Sequence, residues 1–129
     1  MLKMPQLLEG DFKVSFELLS LTRAAKLRFN LSHQGQDYIA EIQIRPLQSR
    51  FRLWQEDKLL AENKGFLIEP NVYYDFRIQN RSGQLAWFLD GREVFAAGNV
   101  TGPLELAISL TGIPDNPAAI QIRRVKVEN

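Results

Sequence analysis

The sequence predicts an all-β domain in which two antiparallel sheets pack into a sandwich, and three observations carry that expectation. Apolar and polar residues alternate with period two in segment after segment, about every ten to fifteen residues. Turn-forming clusters, "SHQGQD", "NRSGQ", "DG" and "GIPDNP", separate those segments. Helical spacing is scarce. A chain of 129 residues is the size of one ordinary domain and can bury a sufficient core without metal or disulfide support. No linker or repeat divides it, so residues 1–129 are read as one domain, either whole or taken from a longer protein.

The elements follow in order. In "DFKVSFELLS", Phe12, Val14, Phe16 and Leu18 take one face, and Lys13, Ser15 and Glu17 the other. "AKLRFNLS" repeats the pattern with Leu27, Phe29 and Leu31. "YIAEIQIR" sets Tyr38, Ala40, Ile42 and Ile44 against Ile39, Glu41, Gln43 and Arg45, and "RFRLWQ" sets Phe51 and Leu53 against Arg50, Arg52 and Trp54. "QEDKLLAENKG" fits either one helical turn or a hairpin closed before Gly65. "VYYDFRIQN" places Val72, Tyr74, Phe76 and Ile78 opposite Tyr73, Asp75 and Arg77. Leu104, Leu106, Ile108 and Leu110 mark the next strand, and Pro114 and Pro117 make the segment after it a long loop. In the last strand Ile120 and Ile122 set a phase that slips at Arg123–Arg124 before Val125 and Val127, the mark of a β-bulge. About nine or ten short strands, each with one apolar face, are buried most simply by two packed sheets; a closed barrel satisfies the same pattern.

One hairpin carries large apolar side chains on both faces. In "LAWFLDGREVF", Asp90-Gly91 is a strong type I′ turn signal, because both central residues need positive φ. An unbroken register then pairs Leu89 with Arg92, Phe88 with Glu93, Trp87 with Val94 and Ala86 with Phe95. Paired residues share a face. Leu85, Trp87, Leu89, Val94 and Ala96 form the core side, and Ala86, Phe88 and Phe95 an outer side whose one charge is Glu93. Outer rings are either covered by a loop, the N-terminal segment or a neighbouring domain, or they mark a surface for a ligand or a second copy of the chain.

Composition narrows the function. Sixteen Lys+Arg against fifteen Asp+Glu leave a formal charge of +1, without the concentrated basic field a nucleic-acid partner requires. Cysteine is absent, which removes disulfides, thiol nucleophiles and thiolate metal sites. No apolar run reaches about 18 residues, so no membrane insertion is expected, and "MLKMPQLLEG" lacks the apolar stretch of a signal peptide. Localisation stays open: cytoplasmic, or extracellular or at the cell surface if the chain is part of a longer secreted protein.

The order of these features resembles the concanavalin A-like lectin/glucanase superfamily of jelly-roll sandwiches, and more narrowly its laminin G-like domains and the bacterial domains related to 3-keto-disaccharide hydrolases. "NVYYDFRIQN", "SGQLAWFLDGREVF" and the closing "AAIQIRRVKVEN" carry the likeness, with "GDFKVSFELL" resembling the opening strand. The resemblance implies a two-sheet antiparallel jelly roll in which the last strand lies beside the first. It also implies limits on catalysis. Glucanases of the superfamily use an E-x-D-x-x-E strand, and retaining hydrolysis needs carboxyls about 5 Å apart. Glu9, Asp11 and Glu17 are too widely spaced for that motif, and Glu56, Asp57 and Glu62 read as a solvated turn.

Other chemistries find no residues. His33, the single histidine, falls in a turn-like segment and supports neither a catalytic triad nor a multi-histidine metal site. "GNVTG" around Gly98 and Gly102 has no lysine and no following helix for a phosphate loop. The resemblance permits calcium, toward which Asp11, Asp115 and Asn116 could contribute, but the sequence does not bring them together; no metal and no cofactor are expected. Acceptor triplets for N-glycosylation begin at Asn30, Asn80 and Asn99, the first within a strand.

What remains is a surface. Arg50, Arg52 and Trp54 share one strand face, Tyr73, Asp75 and Arg77 another, and Phe88 and Phe95 the outer side of the hairpin. If those strands belong to one sheet, its outer face mixes rings with paired polar groups, as sugar recognition needs. The alternative is that arginine stems pack over the rings and cover them. The resulting expectation is a non-catalytic binding module for glycan, with protein recognition or homo-oligomerisation through Phe88 and Phe95 as the alternative, and a glycoside-cleaving enzyme of the 3-keto type further behind.

Overall fold

In the computed structural model, which describes residues 2–3, 10–21, 25–33, 36–45, 48–97, 105–112 and 120–128, the alternating segments become two layers of strands. The strands are β1 (Leu2–Lys3), β2 (Phe12–Ser20), β3 (Ala25–His33), β4 (Gln36–Ile44), β5 (Arg50–Gln55), β6 (Lys58–Asn63), β7 (Tyr73–Arg81), β8 (Gln84–Leu89), β9 (Arg92–Ala97), β10 (Glu105–Gly112) and β11 (Ile120–Glu128). One sheet runs β1-β10-β3-β4-β5-β6 and the other β11-β2-β7-β8-β9. Every pairing is antiparallel. This is a two-sheet antiparallel jelly-roll sandwich, not a closed barrel, and β11 lies beside β2 as the resemblance implied.

Alternation drives the layering. Phe12, Val14, Phe16 and Leu18 of β2 face inward with Phe76 and Ile78 of β7, and Leu27, Phe29, Leu31, Tyr38, Ala40, Ile42, Ile44, Phe51 and Leu53 answer from the other sheet. Phe29 crosses the interface to stack on Phe76, ring centroids 4.7 Å apart, while Phe16 lies 5.5 Å from both. Such stacked pairs add about 0.5–1.5 kcal/mol each beyond the area they bury.

The turns are chemically explicit. Asp90 and Gly91 both take positive φ, 49° and 80°, as a type I′ loop demands. Ser82 and Gly83 repeat this between β7 and β8 with φ of 52° and 81°. "QEDKLLAENKG" resolves into the β5–β6 hairpin, its turn led by Glu56 at φ 51°. Glu56 is tied to Asp37 twice, donating its N–H to the Asp37 carbonyl and accepting the Asp37 N–H on its carboxylate.

Two bulges reset strand phase in the five-stranded sheet. In β11, Arg124 and Val125 together oppose Phe16, with Arg124 at φ 56°, where the phase slip placed the bulge. Val127 then packs against the core, but Val125 is left exposed. The second bulge was not expected. In β9 the register shifts between Trp87 and Phe88, so Phe88 opposes Glu93, Trp87 opposes Phe95, and Val94 is the extra residue. Phe95 therefore faces the core, 7 % exposed and edge-on to Trp87 at 5.2 Å. The Val94 carbonyl accepts the Asn63 side-chain amide at 3.0 Å, which joins the margins of the two sheets.

Candidate functional site

The strands carrying the expected site residues divide between the layers. Arg50, Arg52 and Trp54 of β5 lie on the six-stranded sheet, whereas Tyr73, Asp75 and Arg77 of β7 and Phe88 of β8 lie on the five-stranded sheet. Phe95 belongs to neither surface. The single aromatic face expected from the sequence does not form, and neither does the Phe88/Phe95 surface expected for a second copy, because the β9 bulge turns Phe95 inward.

On the five-stranded sheet the rings are capped. The Arg77 guanidinium lies 4.3 Å from the Phe88 centroid, and that of Arg123 lies 3.4 Å from Tyr73. Strand pairing sets Arg77 directly opposite Phe88, whereas Arg123 is opposite Glu17 and reaches diagonally across β2 to Tyr73, two residues along β7 from the Glu17 partner Asp75. Arg123 and Arg124 are in turn anchored on Glu17 at 3.2 and 3.1 Å. Asp75 uses its backbone rather than its carboxylate to meet Asp90: its N–H donates to Asp90 Oδ1 at 2.7 Å and its carbonyl accepts from the Asp90 N–H at 2.8 Å. Beside it Lys13, Ser15, Arg77 and Gly91 border a depression of about 470 Å³. The covering alternative holds on this face.

The outer face of the six-stranded sheet is built differently. Register sets its side chains in rows across the strands, successive rows about 7 Å apart because they lie two residues along each strand. One row is Arg28, Glu41, Arg52 and Glu62. Arg28 Nε donates to Glu41 Oε2 at 3.0 Å, and Arg52 Nε donates to Glu62 Oε2 at 2.7 Å, with Lys64 Nζ 3.5 Å from the other Glu62 oxygen. Glu41 is buried yet ion-paired, which offsets its desolvation. The hydrogen bond from Arg52, aided by Lys64, holds the Glu62 carboxyl below the usual glutamate range.

The next row is Asn30, Ile39, Trp54 and Leu59. Ile39 and Trp54 are half-buried and Leu59 is 43 % exposed, flanking the indole with apolar surface on both sides. Among the described residues no guanidinium stands over Trp54 and no hydrogen bond engages it. Lys26, Arg28, Ile39, Glu41, Arg52, Trp54, Glu56 and Asp57 surround a depression of about 410 Å³ here. The sequence had singled out Arg52 and Trp54 but not Arg28, Ile39, Glu41, Leu59 or Glu62. The outward alternation of Ile39 and Glu41 was the available signal, and the Leu59–Leu60 doublet ahead of Glu62 marks the bulge that brings Leu59 to Trp54.

Other expected positions have plain structural roles. Asp11 accepts the Ser82 N–H on its carboxylate at 2.9 Å, and Glu62 is a strand residue rather than part of the turn. His33 ends β3 opposite Gln36 instead of sitting in the turn. Asn80 is buried and donates to the Gly10 carbonyl, which withdraws it as a glycosylation acceptor, and Asn30 is half-buried on β3. No cluster of three metal-binding side chains occurs among the described residues. Glu9, Gly98, Asn99, Gly102, Leu104, Pro114, Asp115, Asn116 and Pro117 lie outside them.

Comparison with known proteins places the fold. No family model matches the chain, and no curated protein matches it by sequence. Solved structures do. The carbohydrate binding module CBM66 from Bacillus subtilis superposes with a TM-score of 0.63 at 16% identity, over 93% of this chain and 76% of that one. The Caenorhabditis elegans galectin LEC-6 gives 0.68 at 11% identity, over 99% and 90%. Chicken galectin 2 gives 0.65 at 13% identity, over 94% of both chains. At such identities the similarity is one of fold: the chain has the jelly-roll sandwich found in these proteins.

Proposed function

We propose that this domain is a non-catalytic carbohydrate-binding module that takes its ligand on the outer face of the six-stranded sheet. The observation that carries the reading is the half-exposed Trp54 ring, free of any guanidinium among the described residues, set between Ile39 and Leu59 and one row from the Arg28–Glu41 and Arg52–Glu62 pairs. A pyranose presents an apolar C–H face and a rim of hydroxyls. The indole accepts the first, while fixed carboxylates accept hydroxyl protons and guanidinium N–H groups donate to hydroxyl oxygens. Because each charged group is already held by its partner, little side-chain freedom is lost on binding. The fold shared with a carbohydrate binding module and with galectins supports the same reading.

The face binds rather than cleaves. A glycosidase acid must be protonated near neutral pH, which requires a raised pKa. Glu62 is shifted the other way by Arg52, and Glu41 is committed to Arg28. Within the superfamily, the laminin G-like and 3-keto-disaccharide hydrolase-related domains remain the narrower kinship that "SGQLAWFLDGREVF" suggests. A glycan array probed with the wild type, Trp54→Ala and Tyr73→Ala tests the proposal. Signal lost with Trp54→Ala and kept with Tyr73→Ala supports it; a blank array, or the reverse pattern, rejects it.

A further inference from the structure

The same face is electrically polar along its strands. Asp37, Glu56 and Asp57 gather where β4 begins and β5 turns into β6. The middle row is internally neutralised by its two Arg–Glu pairs. At the opposite end Lys26, Gln43 and Arg50 stand in register across β3, β4 and β5, with Arg45 exposed just beyond β4. Among the described residues Lys26 and Arg50 form no ion pair, a state they share with Arg45, Lys58, Arg77, Arg81 and Arg92, of which Arg77 and Arg92 lie over aromatic rings.

Adjacent strands lie about 4.8 Å apart, so the Lys26 and Arg50 backbones flank Gln43 at a separation of about 10 Å. Their long side chains can close on one group above the Gln43 amide. Along β5 that row lies four residues from Trp54, about 13 Å, with the ion-paired row between. Resting on the carbohydrate-binding reading above, we infer that the ligand is an anionic glycan, oriented so that a sulfate or carboxylate beyond the ring stacked on Trp54 is held by Lys26, Arg50 and the Gln43 amide. The reversed orientation sets the same anion against Asp37, Glu56 and Asp57. Polarity thus selects the class of ligand and its direction together.

The test is an array of neutral glycans beside the same cores carrying a sulfate or a terminal carboxylate. It is probed with the wild type, Trp54→Ala, the double variant Lys26→Gln/Arg50→Gln, and a control double variant, Arg124→Gln/Lys126→Gln, which removes equal charge from the other sheet. The wild type is expected to bind acidic cores about tenfold more tightly than neutral ones, the size of two charge-assisted contacts partly screened by solvent. The Lys26/Arg50 variant should lose that preference, its affinity falling about tenfold more for acidic cores than for the matched neutral ones, and the control should keep it. The sulfated and carboxylated arms show which anion the site takes. Equal or better binding of neutral cores overturns the anionic inference and leaves carbohydrate binding standing. Loss of preference in the control assigns it to net charge and likewise overturns the local site. An array blank for every core overturns both proposals.

Discussion

The Arg77 guanidinium rests 4.3 Å from the centroid of the Phe88 ring, directly across the β7–β8 pair, and no such contact is made to Trp54 among the described residues of the other sheet. One face sets guanidinium groups over its rings; on the other, no described guanidinium lies over the half-buried Trp54. Arg77→Ala is expected to cost about 0.5–2 kcal/mol, the scale of a partly desolvated cation–π contact. It should leave glycan binding unchanged. Urea denaturation and the array check the two halves of this prediction.

Phe88 and Phe95, alike in sequence context, should behave as opposites. Phe95→Ala empties a core position against Trp87 and is expected to destabilise by about 3–5 kcal/mol. Phe88→Ala removes a half-buried outer ring and should cost roughly 1 kcal/mol or less. Equilibrium unfolding of both variants in urea measures the contrast.

That contrast also shows where the sequence was legible. The inner faces of β2 to β5 and of β7 were plain, because each has polar residues between its apolar ones and only one phase buries it, although Val72, expected inward, precedes β7 and is exposed. The β11 bulge was plain for the same reason, since Arg123 and Arg124 interrupt the phase. The β9 bulge was hidden because Val94 and Phe95 are both apolar, so either register buries a large side chain. Sheet membership was hidden for a deeper reason. Alternation tells which residues of β5 share a face, but not that β5 pairs with β4 and β6 while β7 pairs with β2 and β8. Hence Arg52 and Trp54 were found, and their cross-strand partners Glu62, Glu41, Ile39 and Leu59 were not.

Asn63 should prove structural. Its amide donates to the Val94 carbonyl of the opposite sheet, and its side-chain oxygen accepts the Gly65 N–H at 2.8 Å. Asn63→Leu strands both backbone groups and is expected to lower stability by about 1–3 kcal/mol without altering the Trp54 face. The urea midpoint should fall while glycan affinity holds.

The Arg52–Glu62 pair sets an acid limit. Arg52 lowers the Glu62 pKa, so the pair's contribution is complete above the ordinary glutamate value and is lost as pH falls through the lowered folded value. Affinity for a neutral glycan should therefore stay level from neutrality down to the usual glutamate range, roughly pH 4 to 5, and decline only below it. Titration calorimetry across that range measures it, and Glu62→Gln should make the decline shallower, leaving the part that rests on Glu41.

The placement of the site is tested most directly by mapping amide shift changes as a glycan from the array is titrated into isotope-labelled protein. Shifts should concentrate on β3 to β6, at Arg28, Ile39, Glu41, Arg52, Trp54 and Glu62, together with the Trp54 indole N–H. Shifts concentrated instead at Tyr73, Asp75, Arg77 and Phe88, with the Trp54 indole unmoved, would contradict that placement.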